Sequence, residues 1–327
     1  MKKQSTETVI MASEDSFYFA DLIAQRLNVK SFNIIRKQFG EGEQYYRLDF
    51  DDKDLMQETL AGKNVIYIAS THSDKNLLDL YRVGCALAVG FGTKKRVFVM
   101  PFWGYSTMER AKKPGEIVVA KSNARMLSHM PKSDSNSFLM MDLHASGILH
   151  YFEGPCYRSE VSAEEILSEA IENLIKRELG RGSSVLFGSA DLGRPKLIEY
   201  FASKFTTSFA LVWKEREFEK TKVVDVIGDV KGKDVIIYDD MTRSASSLIQ
   251  AAEAYLQRGA GSVFAVLSHL ALNSEAVVDL LEKSPIRRII STNSHPMSQS
   301  AKVKTSPKFI IKDVSPLFAN AIKKILV

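Results

Sequence analysis

Residues 235–248 read Val-Ile-Ile-Tyr-Asp-Asp-Met-Thr-Arg-Ser-Ala-Ser-Ser-Leu. The apolar run Val235–Tyr238 predicts a strand covered on both faces, ending in the adjacent carboxylates Asp239 and Asp240. The small loop Ser244–Ser247 then opens a helical pattern over Leu248–Arg258, stopped by Gly259. In open α/β sheets, ligands bind outside the carboxyl ends of strands, so a site belongs here. The free N–H groups of a helix start can hold a phosphate. Ionised carboxylates accept hydrogen bonds from a vicinal diol. A phosphorylated sugar offers both groups. Taken alone, Asp240 and Ser244 could simply cap a helix; the strand before them and the helix after them favour the ligand.

Outward from this unit, short β-rich runs alternate with helical stretches. Strands are expected at Asn64–Ala69, Arg96–Met100, Ser137–Met141, Ser184–Gly188, Ser262–Leu267 and Arg288–Ser291. Helices are expected at Leu77–Gly90, Ala163–Leu179 and Pro195–Lys204, with Pro131–Ser137 as a surface loop. This alternation predicts an α/β protein with mainly parallel sheets. A length of 327 residues suits two domains, with the seam near Gly154–Glu160 dividing residues 1–157 from 158–327. Both halves repeat the order of apolar strand, acid and helix, which points to two domains of one architecture.

The composition, 45% hydrophobic and 25% charged, is that of a soluble globular protein. A net charge of +5 suits small anionic ligands and falls short of the basic stripe of a nucleic-acid binder. Cys85 and Cys156 are too few for a disulfide framework or a structural zinc site, so they read as packing residues of a reducing compartment. The start of the chain shows no secretory apolar core, and no run reaches the ~20 apolar residues of a membrane span. A cytoplasmic protein without membrane or nucleic-acid partners is expected. The chain has no Gly-x-x-x-x-Gly-Lys-Ser/Thr, no Gly-x-Gly-x-x-Gly and no His-Glu-x-x-His, which disfavours a P-loop kinase, a dinucleotide enzyme and a zinc protease.

The stretch 239–247 resembles the signature by which phosphoribosyltransferases and ribose-phosphate pyrophosphokinases bind 5-phosphoribosyl 1-pyrophosphate (PRPP): an acidic pair followed by Thr-Gly-Gly-Thr. The pyrophosphokinase resemblance extends over nearly the whole chain. It implies two phosphoribosyltransferase-like domains with the active site between them, and a last helix, Val314–Leu326, that packs back on the first domain. It further implies that Thr242, Arg243, Ser244, Ala245, Ser246 and Ser247 hold the 5-phosphate side of ribose 5-phosphate, and that Asp239 and Asp240 hold its hydroxyls. Phe39-Gly-Glu-Gly-Glu43 is similar to the family segment that reaches a neighbouring subunit's ATP site. Phe39, Glu41 and Glu43 would contact the base, in a homo-oligomer. Met141-Asp-Leu-His-Ala145 and Ser189-Ala-Asp-Leu-Gly193 resemble the family's Mg²⁺ positions, carried here by His144 and Asp191. Asp142 and His144, two apart, are expected on one side of an extended segment. Trp213-Lys-Glu-Arg216 resembles the base of a flexible catalytic loop, with Lys214 and Arg216 as its cations. The implied reaction moves the β,γ-diphosphoryl group of Mg·ATP to ribose 5-phosphate.

Two departures stand out. The loop is Ser-Ala-Ser-Ser, so Ala245 and Ser246 replace glycines whose freedom at positive φ a phosphate loop can require. In Pro101–Arg110, Thr107, Met108 and Glu109 occupy ATP-side positions where bacterial and animal members carry an Arg-Gln pair; this resembles the plant-type subfamily, called class III. A catalytically impaired regulatory subunit is the alternative that such departures raise. Retention of His144, Asp191, Lys214, Arg216, Asp239 and Asp240 opposes it.

Overall fold

The computed structural model describes residues 7–132, 134–179, 184–217 and 220–326, with the side chains of 215–217 and 220–224 outside that description. The chain divides into two compact units, Met1–Ser162 with Val314–Val327, and Ala163–Asp313. The division falls a few residues past the expected seam, because Tyr157–Val161 is itself a strand closing the first sheet.

In the first unit, strands β1 (Thr8–Ala12) and β2 (Lys30–Ser31) flank helix α1 (Phe17–Leu27). A hairpin follows, β3 (Ile34–Gln38) and β4 (Gln44–Leu48), and then α2 (Lys53–Leu60), β5 (Asn64–Ile68) and α3 (Asp74–Val89). The unit continues through β6 (Lys95–Met100), α4 (Val119–Ser128), β7 (Ser135–Met141) and β8 (Tyr157–Val161). The sheet order is β2-β1-β5-β6-β7-β8, parallel throughout. Its central strands lack period-two polarity because both faces are covered: Val65, Ile66, Tyr67 and Ile68 are all fully buried. β1, equally buried, went unpredicted. The expected surface loop at Pro131–Ser137 in fact starts β7, where Asn136 is buried and accepts from Arg96 Nε at 2.9 Å.

The second unit runs α5 (Glu164–Leu174), β9 (Val185–Gly188), α6 (Pro195–Lys204), β10 (Ser208–Glu217), β11 (Lys220–Ile227) and β12 (Asp234–Met241). It continues with α7 (Ser246–Gln257), β13 (Ser262–His269), α8 (Glu275–Lys283), β14 (Ile289–Thr292), α9 (Ala301–Thr305) and β15 (Phe309–Lys312). The helix expected over Ala163–Leu179 winds as α-helix only to Leu174; Ile175–Leu179 forms a π turn. The sheet order is β11-β10-β9-β12-β13-β14-β15, parallel except for the β10–β11 pair. Small residues let the layers close: a Cβ on Gly188 would meet Val235 Cγ1 at 2.7 Å and the Tyr255 ring at 2.9 Å.

The last helix, α10 (Ser315–Leu326), belongs to the first unit. Its Phe318 stands edge-on to Phe19 of α1 at 5.4 Å, and Arg26 Nε donates to Ser315 Oγ at 2.7 Å. Cys85 and Cys156 are free thiols packed against the core of this unit. Among the described residues, no helix is long and apolar enough to cross a membrane.

Candidate ribose-phosphate site

In the second sheet, β9 is the strand from which the chain winds both ways, β10 to one side and β12 to the other. The crevice beyond the carboxyl ends of β9 and β12 is therefore a topological switch point, where open α/β sheets take ligands. The residues singled out from 191 to 247 converge on this end of the sheet.

Strand β12 is longer than the apolar run that announced it. It continues through both acids to Met241, with Asp239 paired to Leu267 and Met241 to His269. Backbone pairing with β13 carries it on after the hydrophobic signal has stopped. Successive residues of a strand alternate between its faces, yet at this strand end the Asp239 and Asp240 carboxyls lie close enough to hydrogen-bond to each other. Val235 and Ile237 join the core under α7, and Asp239 follows their parity. Tyr238 stacks on Phe201 of α6 at 3.9 Å, and Asp240 follows that side. There Arg194, the residue before α6, donates from Nη2 to Asp240 Oδ2 at 3.2 Å. Asp239 also accepts the Asp240 N–H at 2.9 Å through Oδ1.

Asp239 shares its face with Lys214 and the head of α7. Lys214 lies within β10, in register with Val223 of β11, so it occupies a paired strand where the resemblance implied the base of a loop. Its Nζ donates to the carbonyl of Ser247 at 3.0 Å. Burial pulls the Lys214 ammonium below its usual range, while the nearby Asp191 and Asp239 hold it up. Burial pushes the Asp239 carboxyl well above the carboxylate range, and the neighbouring charges of Asp240 and Asp191 add to the rise. The strand position of Arg216 is described; its side chain lies outside the described residues.

The loop closes as the substitution of its glycines foretold. Ala245 sits in the left-handed region, φ 60° and ψ −3°, and is fully buried. No side chain caps α7 beyond a long 3.4 Å contact from Ser246 N to Ser244 Oγ, leaving the exposed helix start open to an anion. Ser244, Ser246, Ser247 and Arg243 are exposed, Thr242 is buried, and Arg243 O accepts from Asn273 N at 3.2 Å. Asp191 is exposed in the turn after β9, its Oδ1 accepting from Gly193 N at 2.7 Å.

In the first unit, Phe39 lies at the tip of the β3–β4 hairpin, 48% exposed, with Glu41 and Glu43 also exposed. Its N–H donates to Glu43 O, and its ring meets Tyr45 edge-on at 6.2 Å. The hairpin base is clamped by Arg36, which donates to Asp79 Oδ2 at 2.5 Å and to Tyr67 Oη at 2.9 Å. Thr107 and Met108 form a single 3-10 turn, half-buried and exposed respectively. Glu109 beside them is buried, and its Oε2 has no hydrogen-bond partner. This segment is held tight at Gly104, where a Cβ would stand 1.9 Å from Thr71 O. Asp142 takes φ 38°, so the segment is not extended and the same-side argument for Asp142 and His144 fails. His144 is half-buried just beyond β7. No group of three or more potential metal ligands occurs among the described residues.

Arg194, paired with Asp240, is a residue that the sequence reading did not single out. Its only signal was a position directly after the Asp191 turn and before Pro195 at the start of α6.

Two family models match the chain. One is described as the N-terminal domain of ribose phosphate pyrophosphokinase and covers residues 8–130; the other, described as a phosphoribosyl synthetase-associated domain, covers residues 202–327. A curated ribose-phosphate pyrophosphokinase of Caldanaerobacter subterraneus subsp. tengcongensis is 29% identical over 99% of this chain and 96% of its own length. One from Clostridium tetani is 30% identical over 83% of this chain and 81% of its own. The crystal structure of phosphoribosylpyrophosphate synthetase from Mycobacterium smegmatis superposes with a TM-score of 0.83, covering 98% of this chain and 99% of that one at 22% identity. That likeness establishes the shared fold.

Proposed function

The chain belongs to the ribose-phosphate pyrophosphokinase family, and we propose that it transfers the β,γ-diphosphoryl group of ATP to the 1-hydroxyl of ribose 5-phosphate, yielding PRPP and AMP. The observation that carries this reading is the meeting of Asp239, Lys214 and the open start of α7 at one switch point. The N–H groups of Ser246 and Ser247, with the loop hydroxyls, take the 5-phosphate. Asp239 and Asp240 accept from the ribose hydroxyls. Lys214, held beside the loop, offsets charge that builds on the transferred group. Arg216 is assigned the same role from its position in the motif. Catalysis then comes from positioning and electrostatics, without a covalent enzyme intermediate.

Mg²⁺ fits what the chain offers. Asp191 is an exposed carboxylate at the mouth of the site, and a hard cation that keeps several waters needs few protein donors. His144 is the second assigned position. When bound with ATP, Mg²⁺ neutralises phosphate charge. Phe39, Glu41, Glu43, Thr107, Met108 and Glu109 are assigned to the nucleotide. The exposure of Phe39 at a hairpin tip supports its use between subunits of a homo-oligomer. Thr107-Met108-Glu109-Arg110 supports placement in the plant-type subfamily, with weaker dependence on phosphate activation. A cytoplasmic location accords with the two free thiols.

The relatives carry the name of the enzyme over most of their length, which favours activity over an impaired regulatory subunit. AMP release from ATP and ribose 5-phosphate, measured on the purified protein alone, is the test. Release that needs a second, different subunit would transfer the assignment to the regulatory alternative.

A further inference from the structure

We propose that Tyr255 is a positioning residue for the transfer step: its buried hydroxyl ties helix α7 to the strand ends from which β10 runs on to Lys214, fixing the phosphate loop against that ammonium. This rests on the reading of Lys214 and of Ser244–Ser247 as site residues.

A crevice at the end of a sheet needs its strands to part, and buried backbone groups that leave the ladder there must find other partners. Regular pairing of β9 with β10 ends at Gly188 and Ala210. Ser189 N still donates to Ala210 O at 3.1 Å, and beyond that point side chains enter. Val212 N donates to Ser189 Oγ at 3.1 Å, and Ser189 O accepts from Tyr255 Oη at 2.9 Å. The same hydroxyl lies 3.1 Å from Ala210 O, so its one hydrogen is shared between the two strands. Tyr255 is fully buried, and burial pushes its hydroxyl above the usual phenol range, which keeps it a protonated donor at every working pH. Gly188 makes the room: a Cβ there would stand 2.9 Å from Tyr255 Oη.

The tie sets a direction as well as a contact. Lys214 Nζ holds α7 at Ser247 in its first turn, and the Tyr255 hydroxyl holds it again eight residues on. Eight residues of α-helix span about 12 Å. A helix held at one point can pivot about it, whereas a second hold this far along stops the pivot. The loop at the start of α7 therefore keeps its place beside the Lys214 ammonium.

The experiment uses the full chain with Tyr255→Phe, Lys214→Ala and the Lys214→Ala/Tyr255→Phe double variant. Tyr255→Phe removes the hydroxyl and keeps the ring, so the core around it stays filled. Turnover is measured as AMP release well below each melting temperature, and ribose 5-phosphate binding by calorimetry. Tyr255→Phe should lower kcat about tenfold to a hundredfold, the scale of misplacing a reacting group by up to about 1 Å. Affinity for ribose 5-phosphate should change less than about threefold, because the donors of the loop remain. In the Lys214→Ala background the same change should cost less than about threefold in kcat, since the group it positions is gone. A merely structural tyrosine would lower the melting temperature and leave this split and this non-additivity unseen. If the wild type releases AMP and Tyr255→Phe keeps its kcat within about twofold, or if the two losses multiply in full, the inference is overturned while the site reading stands. If the wild type itself releases none, the site reading falls and the inference with it.

Discussion

The ammonium of Lys214 donates to the carbonyl oxygen of Ser247, 3.0 Å away, joining strand β10 to the first turn of α7. The cation proposed to meet a transferred diphosphoryl group is therefore also a strut of the loop proposed to hold the sugar phosphate. A charge on a paired strand loses little freedom when the substrate arrives, which is how preorganised electrostatics lower a barrier.

Replacing Lys214 by Ala should lower kcat by about a hundredfold to a thousandfold, the scale of losing one transition-state donor. Affinity for ribose 5-phosphate should fall much less, because the α7 start remains. Equal losses in kcat and in affinity, from single-turnover kinetics and calorimetry, would count against the charge role.

Asp239→Asn should stabilise the protein at neutral pH while weakening sugar binding. Burial, then Asp240 and Asp191, raise the folded carboxyl well above its usual range. A raised acid favours the protonated fold, so its contribution is whole below the unfolded value of about 4 and is lost as pH rises. The melting temperature of the variant should match the wild type near pH 4 and exceed it increasingly toward pH 7.5. A gap that closes with rising pH would contradict the assignment.

Position 245 should tolerate glycine and reject a branched side chain. Ala245 already occupies φ 60°, a conformation that costs an L-residue about 1–2 kcal/mol. Ala245→Gly relieves this but gains unfolded-state entropy, so the net change should stay within about 1 kcal/mol. Ala245→Val adds branching at positive φ and overpacks a fully buried site, costing about 2–4 kcal/mol. Urea unfolding of the two variants decides.

Asp79→Asn should cost about 3 kcal/mol, because it strands the Arg36 guanidinium beside Tyr67 with side-chain exposures of 10% for Arg36 and 5% for Asp79. Arg36 lies on β3, so the β3–β4 hairpin carrying Phe39 should loosen, seen as faster amide exchange across Ile34–Gln38. A loss below about 1 kcal/mol, with unchanged exchange, would show the clamp to be incidental.

The residue order determined a great deal by itself. Val235–Tyr238, Ser262–Leu267 and Asn64–Ala69 announced buried parallel strands, because a strand covered on both faces must be apolar without alternation. The acid pair and the hydroxyl loop announced a ligand end for the same local reason: strand, sharp turn and helix start occupy one short stretch. Other features were settled by neighbours remote in sequence. Pairing with β13 prolonged β12 through Met241, carrying Asp239 and Asp240 within the strand. The antiparallel partner β11 put Lys214 on a strand. Packing of α6 brought Arg194 to Asp240, 46 positions apart. Local hydrophobicity reports which residues are covered, but hydrogen-bond register and side-chain pairing depend on what covers them, and only the folded chain supplies that.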